Sequence, residues 1–331
     1  MASADQIKSL LKSHLDGDEE RFFSIAMQVA ANEARKGHGK LAQEIRALID
    51  DARTEGGAAV AREPVSIARP RGELAELLAV SHPKIKLAEM ILEKRLLNRL
   101  ERIIREQRHI GKLMSHGLRP RQKLLLIGPP GCGKTMTASA MAGELGIPLF
   151  VVRLDGLITK YMGETSAKLR LIFDAMEQTR AVYLFDEFDS IGTHRGVTND
   201  VGEIRRVLNS FLMFIEQVKT TSLVLAATNH PQSLDAALYR RFDDLLEYKL
   251  PSRLLIVKTL KARLSGYERV KVDFSEAAKA SAGLSFADLA RACEEAVKDR
   301  VIHERDSLTT EALVQAINER TSFQKDQAYS S

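Results

Sequence analysis

The sequence predicts an α/β fold: a parallel sheet flanked by helices, with an all-helical subdomain behind it and a small helical unit in front. Two patterns carry this. Between residues 124 and 248 the short apolar runs Leu124–Ile127, Leu149–Val152, Val182–Phe185, Leu223–Ala226 and Leu246–Tyr248 alternate with helical stretches at 134–145, 165–178 and 200–218. The first four of these runs are apolar at every position, which suits strands covered on both faces. Beyond residue 250 that pattern stops, and helical segments follow at 254–264, 274–281, 286–301 and 310–319. The expected organisation is a docking unit over 1–53, a linker over 54–80, a large α/β part over 81–250, a helical part over 251–320 and a disordered tail over 321–331.

Composition narrows the class. A chain of 331 residues with 44% hydrophobic and 28% charged residues suits a soluble globular protein. A formal charge of +5 permits nucleic-acid partners without demanding them. Two cysteines form no disulfide framework and fit a reducing compartment. MASADQIKSL has no signal pattern, and no apolar run reaches the ~20 residues of a membrane span. A cytoplasmic protein without a membrane partner is expected.

In the first unit, apolar residues recur at helical spacing in Ile7-Leu10-Leu11, in Phe22 to Ala30 and in Leu41-Ile45-Leu48-Ile49, punctuated by Asp16-Gly17-Asp18 and Gly37-His38-Gly39. It reads as a docking module for a protein substrate or adaptor, against a plain structural bundle. Residues 54–72 are rich in Gly, Ala, Pro and Arg without periodicity, as in linkers. After Pro83 a long helix is expected over 84–114. Basic residues outnumber acidic ones ten to three over 92–123, yet no aromatics interleave to stack on bases, so this reads as a solvated helix face.

The chemistry is concentrated in Lys123–Thr137, KLLLIGPPGCGKTMT. A strand, a glycine-rich loop and a helix stand in the order G-x-x-x-x-G-K-[ST] requires, which defines a P-loop NTPase sheet. Gly131 and Gly133, without Cβ atoms, let the backbone turn its N–H groups toward an anion. The helix start adds its positive end. Lys134 brings a charge to the β- and γ-phosphates, and Thr135 a hydroxyl to Mg²⁺. Pro129, Pro130, Gly131, Cys132, Gly133, Lys134, Thr135 and Met136 are therefore the candidate nucleotide-binding residues. Cys132 reads as a small tolerated residue, against a redox-sensitive thiol.

A second signature is Val182–Glu187. An apolar strand carries Asp186 and Glu187 to its C-terminal edge, where parallel sheets bind ligands. Asp186 would hold Mg²⁺ with Thr135, and Glu187 would orient the attacking water. Asn229, after another strand, could hydrogen-bond the γ-phosphate or its water.

The ordered set GPPGCGKT, VYLFDEFDSIG, VLAATN, LDAALYRRFD and GLSFADL resembles the AAA clade of AAA+ ATPases, from about residue 80 to 320. The resemblance implies ATP and Mg²⁺ as ligands and a ring, usually a hexamer. It implies that Arg240 and Arg241 complete a neighbour's site, their adjacency resembling the spastin and katanin branch. It implies that Tyr161, Met162 and Gly163 form a loop gripping polypeptide in a central channel, with a second channel loop near 194–202. Gly283 and Ala287 match the lid position near adenine or ribose. The family's acidic-glycine adenine contact has no clear match, which assigns that wall to 78–84. No H-E-x-x-H metalloprotease motif occurs. The N-terminal stretch is similar to small bacterial AAA ATPases paired with subtilisin-like proteases, implying a possible separate protease partner. The expected function is ATP-driven remodelling or unfolding of protein through a pore. The alternative is a nucleotide switch that binds and releases a partner without threading, and nucleic acid is not an expected partner.

Overall fold

In the computed structural model, described residues are 19–35, 38, 39, 42–44, 49, 70, 72–157, 162–189, 201–234 and 236–329. The chain divides into two compact units, Met1–Ile67 and Ala68–Ser331. In the first, helix α1 (Glu19–Arg35) covers the apolar stretch read from the sequence, with Val29 and Ala30 buried. The first expected helix lies outside the described residues, as do 54–69. Of the third, 42–44 and 49 are helical.

The second unit is built on a six-stranded sheet: β1 (Leu78–Ser81), β2 (Lys123–Ile127), β3 (Leu149–Val152), β4 (Val182–Phe185), β5 (Leu223–Thr228) and β6 (Asp244–Glu247). Their order is β1–β3–β4–β5–β2–β6. Every pairing is parallel except that of β1, which runs antiparallel to β3 at the edge. Alternate residues of each apolar run feed opposite cores. Leu124, Leu126, Val182, Leu184 and Leu225 face one side, where α3 (Lys94–Arg108) and α5 (Lys134–Leu145) pack; α4 (Ile110–Ser115) follows α3. Leu125, Tyr183, Phe185 and Val224 face the other, against α7 (Met162–Gln178) and α8 (Val201–Gln217). On that side Phe173, Phe185 and Phe211 contact one another edge-on or stacked at 5.0–6.1 Å between centroids, within the range where aromatic pairs attract.

Behind the sheet lies a lid of α10 (Arg253–Leu264), α11 (Phe274–Ala280), α12 (Phe286–Ile302) and α13 (Thr310–Tyr329), around a core that includes Leu260, Leu289, Leu313 and Ile317. Short helices α2 (Glu73–Leu77), α6 (Leu154–Leu157) and α9 (Ala236–Tyr239) complete the unit.

Several expectations change. Residues 73–80, read as part of the linker, belong to α2 and β1. The edge strand pairs through its backbone with β3, and four residues are too few to show a periodicity. The helix expected over 84–114 begins at Lys94 and breaks at His109. Residues 83–85 instead pass without regular structure against α5, so close that a Cβ on Gly143 would meet the Ile85 carbonyl at 2.2 Å. The lid is not all helical, since β7 (Val270–Lys271) and β8 (Leu308–Thr309) pair in parallel. The tail expected over 321–331 continues α13 as far as Tyr329.

Seven of the ten basic residues over 92–123 are exposed, as a solvated helix face would have them, while some of its arginines find carboxylate partners in the fold. Arg99 pairs with Asp244, Arg108 with Glu144 at 2.7 Å and Arg121 with Glu106 at 3.4 Å.

Candidate nucleotide-binding site

The C-terminal ends of β2, β4 and β5 converge because β5 lies between the other two. Register places Ile127 beside Thr228 and Phe185 beside Ala226, so the loops after these strands share one edge. The phosphate loop leaves β2 at Gly128. Three of its glycines hold positive φ: 143° at Gly128, 71° at Gly131 and 96° at Gly133, the N-terminal cap of α5. A side chain could not be accommodated at Gly128, where a Cβ would meet the Tyr248 carbonyl oxygen at 2.2 Å. Close approach of a backbone, as well as turn geometry, therefore demands glycine. Tyr248 is itself fixed by donating its hydroxyl proton to Thr137 Oγ1 at 2.7 Å.

Lys134 is 6% exposed. Its ammonium donates to the carbonyls of Gly128 (2.7 Å) and Pro129 (2.8 Å) and to Asn229 Oδ1 (2.7 Å). All three donors of the cation are thus placed by the fold. Burial holds its pKa below the ordinary lysine range, offset in part by Cys132 and the carboxylates of Asp186 and Asp189. An anion arriving at the loop would relieve that desolvation. Thr135 donates from Oγ1 to Asp186 Oδ2 at 2.6 Å, joining the loop to the end of β4.

Glu187 adopts a left-handed backbone, φ 48°, and its N–H donates to Asp186 Oδ1 at 3.0 Å. A non-glycine residue there is held against its preference. The turn is pinned from β5, since Phe188 N donates to Ala227 O at 2.8 Å and Thr228 Oγ1 to Asp189 Oδ1 at 2.8 Å. Asp189 also accepts from Asn229 N at 3.3 Å. Sequence reasoning missed this buried aspartate; its signal is a third acid, three residues beyond Asp186 and next to the buried Phe188.

These groups face a cleft of about 680 Å³, within the ~300–1,000 Å³ usual for small-molecule sites. Pro130 through Met136, Asp186, Glu187, Asn229 and Ala287 line it. Its apolar wall comes from Ile85 and Met90–Leu92, with Phe286 and Thr259 from the lid. The wall assigned to 78–84 therefore lies further along the chain. Gly283 does not line the cleft. With φ 88° it turns the chain into the cap of α12, and only Ala287 of that pair reaches the site. Burial pushes the Cys132 thiol up, and at 1% exposure it behaves as a small packed residue, not an activated nucleophile.

Arg240 and Arg241 lie outside this cleft and are exposed. Arg241 pairs with Glu216 on α8. The neighbouring acids are engaged elsewhere: Asp243 accepts from the N–H groups of Gln122 and Lys123, and Asp244 pairs with Arg99. Tyr161 and 190–200 lie outside the described residues. Met162 and Gly163, read as loop, form the first turn of α7.

A glycine-cradled, lysine-centred anion site, joined through a hydroxyl to an acidic strand end, is a nucleoside triphosphate site in its chemistry. Comparison with known proteins agrees. Residues 124–250 match the model of the ATPase family associated with various cellular activities. The chain is 33% identical to the uncharacterized AAA family ATPase y4kL of Sinorhizobium fredii (strain NBRC 101917 / NGR234), over 99% of this chain and 98% of that one. It is also similar to the crystal structure of the FIGL-1 AAA domain, with a TM-score of 0.62 and 23% identity over 78% of this chain and 91% of that chain, a likeness of fold. The chain is an ATPase and belongs to the AAA family.

Proposed function

We propose that this ATPase works as a ring, hexameric by family resemblance, that uses Mg²⁺-dependent ATP hydrolysis to remodel or unfold protein drawn through its pore. The observation that supports the reading is where the cations lie. Lys134, Thr135 and Asp186 are assembled within the chain, whereas Arg240 and Arg241 stand exposed outside their own cleft. Arginines so placed are suited to reach the triphosphate of an adjoining copy, where such a group accelerates phosphoryl transfer roughly 10³–10⁵-fold in GTPases.

The residues fit Mg²⁺. Thr135 and Asp186 offer a hydroxyl and a carboxylate 2.6 Å apart, and among the described residues no cluster of three His, Cys, Asp or Glu adds to them. Such a sparse set suits a cation that keeps waters and takes phosphate oxygens. When bound, the cation would neutralise charge developing on the phosphate oxygens. Lys134 holds the β- and γ-phosphates, Glu187 orients the attacking water, and Asn229 fixes Lys134 while facing the γ-phosphate end. Tyr161, Met162 and Gly163 are proposed as the polypeptide grip, and residues 1–53 as the docking module for a substrate, an adaptor or a separate protease. Among the described residues no helix is long and apolar enough to cross a membrane; a cytoplasmic location is part of the proposal.

The test is the solution mass of Glu187→Gln with and without ATP and Mg²⁺. This variant should bind ATP, fail to hydrolyse it and move to about six subunits. A monomer or dimer under both conditions would remove the ring and leave the nucleotide-switch reading in its place.

A further inference from the structure

Resting on the nucleotide-site reading above, we infer that Arg320, on the C-terminal helix, is a positioning residue for nucleotide binding that acts through Asp288 on the phosphate loop. The two elements it links are far apart in sequence and meet at one point. Helix α12 begins against the loop: the Ala287 N–H donates to the Gly131 carbonyl at 3.1 Å. The fit is close, since a Cβ on Gly131 would meet Ser285 Oγ at 2.4 Å and the Ala287 Cβ at 3.0 Å. The position of the α12 cap therefore sets the position of the loop's turn.

That cap is held by Asp288. Its Oδ2 accepts from the Ser285 N–H at 3.2 Å and the Ser285 hydroxyl at 2.5 Å, while Ser285 Oγ accepts in turn from the Asp288 N–H at 3.3 Å. The reciprocal pair is a capping box. The other carboxylate oxygen, Oδ1, accepts from Arg320 Nε at 3.1 Å. Ser285 is 5% and Asp288 7% exposed, and the ion-pair side chains are 10% and 14% exposed for Asp288 and Arg320. The Arg320 guanidinium also lies 5.1 Å from the Phe323 ring centroid, which fixes its plane.

A buried carboxylate that loses its cation is left with an uncompensated charge and shifts among its remaining donors. That shift loosens the Ser285 cap, and the contact to Gly131 moves with it. No described residue of α13 lines the cleft, so Arg320 acts on nucleotide only through this chain of contacts.

The experiment measures the Kd of a fluorescent non-hydrolysable ATP analogue and steady-state KM and kcat on full-length protein. Arg320→Ala should raise Kd and KM about three- to tenfold, the size of coupling seen through such networks, while kcat at saturating ATP stays within twofold. Arg320→Lys should restore much of the loss. Asp288→Asn with Arg320→Gln, which removes both charges and protects folding if the single variant is poorly soluble, should match Arg320→Ala instead of doubling its effect. Unchanged Kd and KM in Arg320→Ala, or additive losses in the pair, would overturn the inference. Lys134→Ala, measured alongside, separates the two readings: if it binds normally, the phosphate site itself is wrong; if it loses binding while Arg320→Ala does not, only the role of Arg320 falls.

Discussion

Lys134, in the nucleotide cleft, and Arg241, outside it, are both cations, and the fold treats them in opposite ways. Lys134 is buried and satisfied by Gly128, Pro129 and Asn229 before any ligand arrives. Arg241 is exposed, and among the described residues its side chain pairs with a surface carboxylate, Glu216, in a pair that water screens. The difference teaches where preorganisation is needed. A group that must meet the ground-state triphosphate is fixed at folding, at a cost in desolvation. Under the proposed ring, a group that serves a neighbour would be left on a tether light enough to be exchanged for a better partner.

The largest effect should come from breaking the fixed side. Lys134→Ala removes charge-assisted contacts each worth ~1.5–3 kcal/mol and should weaken ATP-analogue binding by ~100-fold or more. Retained binding by fluorescence titration would mean that Lys134 is a structural plug. The exposed side should fail differently. Arg240→Ala with Arg241→Ala should lower kcat on the order of 10³-fold with analogue affinity nearly unchanged. Mixing these subunits with Glu187→Gln subunits should restore some turnover, because intact arginines then face intact water-positioning sites. Absence of restoration, with mixed assemblies verified by mass, would place the arginines in service of their own chain.

The smallest effect sharpens the comparison at a third loop residue. Burial keeps the Cys132 thiol above its ordinary range, so the reactive thiolate is scarce below it and increases only at higher pH. Alkylation of Cys132 by iodoacetamide at pH 7.5, followed by peptide mass mapping, should be at least ~10-fold slower than in the denatured chain. Fast labelling in the folded protein would reopen the redox reading.

The parts legible from sequence were those with a local signature. The apolar runs of β2 to β5 are continuous because both faces of those strands are covered, and the run is visible whether or not the partner strands are known. The loop from Gly128 to Thr135 compresses its chemistry into eight residues. By contrast, β1 is four residues of unremarkable pattern, and only pairing with β3 makes it a strand. The helix expected from residue 84 failed because the apolar residues from Ile85 to Leu92 pack on α5 and wall the cleft instead of continuing the helical stripe. The Ser285–Asp288 capping box was readable as S-x-x-D. Its partner Arg320 was not, since nothing near residue 320 marks it.

By itself the sequence determined that a phosphate loop, an acidic strand end and a polar strand end exist in this order, because each is specified by neighbours within a few residues. Tertiary structure decided which groups meet. Lys134 reaches Asn229 across 95 residues, Thr135 reaches Asp186 across 51, and Asp288 reaches Arg320 across 32. Those contacts follow from the strand order that sets β5 between β2 and β4, and from the lid's packing on the loop. The physical reason is that a turn or a cap is a local minimum of the chain, whereas a contact between residues distant in sequence forms only after the core has brought its halves together.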